Sequence, residues 1–157
     1  MQYRIVGNTM PAVEILFDQA GESMYTQSGG MVWQSDGIEM STSTNGGIMK
    51  GVGRMFGGEG FILQDLSGVG MAFLEIDGDK VIKDLQPGEV LKVDTGNVVA
   101  FERSVSYEIE TVKGLKNIFL GGEGLFLTRL VGPGRVILQT QNINEFAGRI
   151  ARMIPSK

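Results

Sequence analysis

The chain has 157 residues, 42% of them hydrophobic and 20% charged, and its 14 Lys and Arg against 18 Asp and Glu leave a net charge of −4. That is about one domain with a globular core, and the acidic balance argues against a general phosphate-binding surface, so no nucleic-acid partner is expected. Cys and His are both absent, which excludes disulfides, thiol nucleophiles, zinc-finger ligand sets, Cys-ligated iron–sulfur clusters, Ser-His-Asp triads and imidazole proton shuttles.

The opening stretch MQYRIVGNTMPAVEILFDQ carries neither an apolar run of signal-peptide length nor an Arg-rich transit character. No stretch reaches the ~20 apolar residues of a membrane-spanning helix, and a cytoplasmic location is the expectation. In AVEILFD, Val13, Ile15 and Phe17 share one face of a strand. GIEMSTST sets Ile38 and Met40 against Glu39 and Ser41. MAFLEI, VSYEIETV and RVILQTQ are further strands; in the second, Val105, Tyr107 and Ile109 oppose Ser106, Glu108 and Glu110. The turns between them carry Asp36-Gly37, Asp77-Gly78, Pro87-Gly88 and Gly132-Pro133-Gly134. Short strands at this spacing indicate a sandwich or barrel.

One line is written twice. FGGEGFILQDLSGVG (56–70) and LGGEGLFLTRLVGPG (120–134) agree at eight of fifteen positions with an offset of 64. Upstream, AGESMYTQSGGMV (20–32) aligns with PGEVLKVDTGNVV (87–99) at an offset of 67. The expected domain is residues 1–140, built of two repeats (about 13–77 and 81–140), each too small to cover its own apolar faces and edges. In the tail, residues 141–157, Ile143, Phe146, Ala147, Ile150, Ala151 and Ile154 follow helical spacing behind Asn142 as N-cap. Gly148 costs such a helix about 1 kcal/mol relative to Ala, so it needs a surface to pack on. Its own sandwich is the ordinary answer, and a partner subunit the alternative.

The glycines invite a nucleotide-loop reading, which fails. Gly51-x-Gly53 is followed next by Gly57, no G-x-x-x-x-G-K-[ST] occurs, and no βαβ pattern surrounds them. Gly57, Gly58, Glu59 and Gly60, with Gly121, Gly122, Glu123 and Gly124, read as a structural turn motif, the acid accepting backbone N–H groups or a neighbouring Arg. The alternative is a carboxylate pair holding a cation; one acid per motif favours the turn. Glu22 and Glu89, in the other repeated Gly-Glu, are read the same way. Before each motif lies a short amphipathic, basic segment: Ile48, Met49, Lys50, Arg54 and Met55 in the first copy, Leu115, Lys116, Ile118 and Phe119 in the second. These either cap the ends of the core or form a paired surface for a membrane or a protein partner.

The doubled Gly-Gly-Glu-Gly with FILQDLSG and LFLTRLVGPGRVILQTQ, together with PGEVLKVDTGNVVAFERSVSYEIETVKGLKN, resembles the altered inheritance of mitochondria protein 24 family. The resemblance implies an all-β fold: a duplicated, jelly-roll-like β-sandwich similar to the tryptophan RNA-binding attenuator protein, here with one C-terminal α-helix. It also implies a homo-oligomer, with a trimer as first expectation, and no established enzyme activity. Many relatives are longer, so this chain reads as a shortened form. The expected function is a non-enzymatic scaffold or binding protein without a cofactor or metal, and the alternative a peripheral membrane-interface protein using the two basic segments.

Overall fold

The computed structural model describes residues 1–42, 62–111 and 126–154. Among these, thirteen strands and one α-helix form. The strands are β1 (Gln2–Val6), β2 (Ala12–Phe17), β3 (Ser23–Gln27), β4 (Met31–Gln34), β5 (Ile38–Thr42), β6 (Leu63–Gly68), β7 (Gly70–Glu75), β8 (Lys80–Leu85), β9 (Val90–Asp94), β10 (Val98–Glu102), β11 (Ser106–Thr111), β12 (Phe126–Val131) and β13 (Gly134–Gln139). A 3-10 turn (Thr95–Asn97) joins β9 to β10, and helix α1 (Ile143–Met153) follows β13. The described residues are thus all-β with one C-terminal helix.

The strands form three antiparallel sheets: β1-β2-β7-β4, β5-β6-β3-β10-β13-β8 and β11-β12-β9. The six-stranded sheet is the middle layer. Along β3, Met24 belongs to one core and Tyr25 to the other, and along β13 Ile137 is separated in the same way from Val136 and Leu138. Successive strand residues point to opposite faces, so the four-stranded sheet covers one face and the three-stranded sheet the other. The first core holds Val13, Ile15 and Phe17 of β2 with Leu74 of β7. The second holds Phe101 and Leu130, flanked by Leu91, Val93 and Tyr107. This arrangement explains why β3 and β10 are buried at four consecutive positions each, where a strand with one wet face would alternate.

The half-buried strands alternate as their sequences require. Val13, Ile15 and Phe17 are fully buried, as is Val105, while Ser106 and Glu108 are exposed. Met40 differs: Ile38 is buried but Met40 is exposed. Among the described residues β5 is the outermost strand of its sheet, paired only with β6, and its far end leaves the core.

The pairings of β2–β7 recur, register for register, in β8–β13. Phe17 opposite Gly70 is matched by Leu85 opposite Gly134, and Ser23 opposite Ser67 by Val90 opposite Val131. Even a bulge recurs: β4 slips against β7 between Met31 and Trp33, and β10 against β13 between Val98 and Ala100. The turn acids do too. Glu22 Oε2 accepts the Gln19 N–H at 3.3 Å and that of Asp18 at 2.7 Å, and Glu89 Oε2 accepts the Gln86 N–H at 2.8 Å. Both glutamates therefore tie turns, as the repeated Gly-Glu suggested. Two pairings have no counterpart among the described residues: β1 with β2, and β3 with β10, which joins the two halves in one sheet.

Candidate functional site

The sequence-designated positions fall outside the described residues. Ile48, Met49, Lys50, Arg54, Met55, Leu115, Lys116, Ile118 and Phe119 lie there, as do both Gly-Gly-Glu-Gly motifs, Gly57 to Gly60 and Gly121 to Gly124. Among the described residues, no three Asp or Glu come together as a cation-binding group. No helix there is long and apolar enough to cross a membrane.

The candidate site is helix α1. The Asn142 side chain caps it, accepting the N–H groups of Asn144 and Glu145 at 2.9 and 3.2 Å, where a helix otherwise leaves donors unsatisfied. The helix is bolted to the body at this end. Asp77, in the β7–β8 turn, accepts the Ile143 N–H at 2.9 Å, and Asn142 Nδ2 donates to the Gly96 carbonyl at 3.0 Å. Gln139 Nε2 donates to the same carbonyl at 2.9 Å and its Oε1 accepts the Asp77 N–H, while Thr140 Oγ1 accepts the Asp79 N–H at 2.8 Å. Gly96 is required here, because a Cβ would stand 2.1 Å from Asn142 Nδ2.

Beyond this mount, no residue of α1 is buried. Ile143, Phe146, Ala147, Ile150, Ala151 and, just after the helix, Ile154 are all exposed. At 3.6 residues per turn they form one continuous apolar stripe. The half-buried members, Glu145 and Gly148, lie on the opposite side of the helix. The expectation that this helix packs its apolar face on its own sandwich is therefore overturned. The contacts that mount its first turn are polar, and the stripe faces outward.

A second polar group sits where β13 meets β8 and β1. Arg135 grips Asp84 with two hydrogen bonds of 2.6 and 2.8 Å, which holds the Asp84 carboxyl below the usual carboxylate range. The Arg135 guanidinium also lies 5.0 Å from the Tyr3 ring centre, and Tyr3 donates to Glu102 at 2.8 Å. Burial, then Glu102, pushes the Tyr3 phenol far above its ordinary value. A phenol kept neutral and a bidentate ion pair form a strut between strands.

Known proteins place the chain. At 27% identity, an uncharacterised protein of Streptococcus pyogenes serotype M6 matches 144 residues, 91% of this chain and 56% of that protein. The chain thus spans little more than half the length of that curated relative. The crystal structure of another Streptococcus pyogenes protein, determined by a structural-genomics consortium, superposes with a TM-score of 0.53 at 21% identity, covering 98% of this chain and 99% of that one; this likeness concerns the fold. The model of the Mitochondrial biogenesis AIM24 family matches residues 3–59 and 53–141. The chain belongs to that family.

Proposed function

We propose that this protein is a non-catalytic scaffold or binding protein that acts as a homo-oligomer and carries helix α1 as a docking element for an apolar surface. The outward apolar stripe on a rigid polar mount supports this reading most directly. A stripe of this size left in water has no role in its own fold, and exposed contiguous apolar surface marks interaction sites. Non-catalytic action fits the described polar groups, which tie turns, cap the helix and strut strands. The recurrence of one strand ladder in two halves supports an internal duplication, in which one half is the natural partner of the other and of further copies.

A second reading has its own observation. Arg149 and Arg152 lie across the helix from the stripe, the layout of a helix resting in a membrane interface. Phe146→Ser combined with Ile150→Ser decides between roles. If the stripe serves a partner, the double variant keeps its thermal stability at high dilution to within about 0.5 kcal/mol, as surface changes do. A loss of about 3 kcal/mol or more, as for core residues, would sink the docking reading. Co-sedimentation of the wild type with anionic phospholipid vesicles, lost in the double variant, would establish the membrane role instead.

A further inference from the structure

The strand that joins the two halves has an unused twin at each end of the molecule. β3 and β10 pair across the junction with Ala100 opposite Thr26, Phe101 opposite Tyr25 and Glu102 opposite Met24. The counterpart of β3 in the second half is β9, and the counterpart of β10 in the first half is β4. Among the described residues β9 pairs only with β12, and β4 only with β7. One half thus presents its β3-type edge to the β10-type edge of the other, a head-to-tail contact, and each chain retains one unfilled edge of either kind.

Exposure marks these edges as unfilled. Val99 and Ala100 are 5% and 0% exposed in the junction, but their counterparts Val32 and Trp33 are 55% and 41% exposed. Ser23 is 8% exposed and its counterpart Val90 45%. Trp33 stacks on Phe73 at 5.5 Å with its outer face in water, and exposed Trp is the residue type most favoured as an interface anchor.

Resting on the homo-oligomer reading above, we propose that β4 of one molecule pairs antiparallel with β9 of a second copy, in the register of the internal junction. Carrying that register over sets Trp33 opposite Val93 of the neighbour, Gln34 opposite Lys92 and Ser35 opposite Leu91. Trp33 is laid over the second core beside Leu91 and Val93, as Ala100 lies over the first core within the chain. The four-stranded sheet of one chain would join the three-stranded sheet of the next, and the edges that invite non-specific pairing would be closed by a specific one.

The chain has no Cys, so engineered thiols report this contact alone. Strand residues directly opposite lie roughly 4.5–5.5 Å apart between Cα atoms, within disulfide reach, whereas diagonal neighbours at about 7–8 Å are not. Gln34→Cys with Lys92→Cys is expected to form a covalent chain-to-chain ladder on mild oxidation, and Gln34→Cys with Val90→Cys to remain uncrosslinked. Trp33→Lys, checked for native circular dichroism, is expected to weaken self-association at least tenfold. An oligomer by light scattering that crosslinks equally in both pairs, in neither, or that tolerates Trp33→Lys, overturns the pairing but leaves the homo-oligomer standing. A wild type that stays at the 17.0 kDa monomer mass across micromolar concentrations overturns both.

Discussion

At the scale of single residues, the Asp84–Arg135 pair sets a pH dependence. The carboxyl is held below its ordinary value by two hydrogen bonds from Arg135. A depressed carboxylate stabilises the fold at pH values above its unfolded pKa, and the contribution disappears as pH falls through the folded value. Asp84→Asn should therefore lower stability at neutral pH, by less than about 1 kcal/mol because the pair faces solvent. The gap from the wild type should close on acidification below pH ~4. Urea titrations at several pH values measure this; a gap that widens in acid would contradict the sign. Nothing in the local sequence announced this pair, since its members stand 51 residues apart. Glu22 and Glu89 were legible because they act within their own turns, three or four residues from the N–H groups they accept.

Among the elements, α1 was readable as a helix from its period, and Asn142 from the chemistry of caps. Its direction was not. A period identifies which residues share a face; what that face meets depends on Asp77 and Gly96, 66 and 46 residues from the helix start. The mount is open to test. Asn142→Ala removes both the cap and the bond to Gly96, and caps of this kind are worth about 1 kcal/mol. Gly96→Ala forces a Cβ into the Asn142 amide. Both should speed hydrogen exchange of the α1 amides by roughly tenfold or more while β-sheet amides keep their protection. Equal acceleration throughout would mean that the helix is not a separately mounted element. The strands were legible where one face is wet, as in β2, and less so in β3 and β10, whose burial on both faces removes the alternation.

For the molecule as a whole, two cores lie on opposite faces of one sheet, and β3 and β10 contribute to both. Neither core can dissolve without stripping one face of the shared strands. Phe17→Ala in the first core and Phe101→Ala in the second should each cost about 3–5 kcal/mol, and each should shift a single urea transition detected by both Trp33 fluorescence and circular dichroism. Two separable transitions would show the halves folding independently. The written repeat announced two similar halves; it could not announce that β3 would pair with β10, because similarity between halves carries no information about which of their edges meet.

The β3–β10 junction also makes the halves unequal in what they tolerate. Tyr25 is buried against Phe101 and Tyr107, with ring centres 5.4 and 5.8 Å away, while its counterpart Lys92 stands at the surface. Writing one half's residue into the other would place an ammonium beside the two rings of Phe101 and Tyr107, or, in the other direction, a phenol on an outer edge. Exchange of residues between the halves is thus penalised wherever one edge is enclosed and the other is not. At paired positions such as Tyr25 and Lys92, divergence between the halves therefore marks a difference in burial.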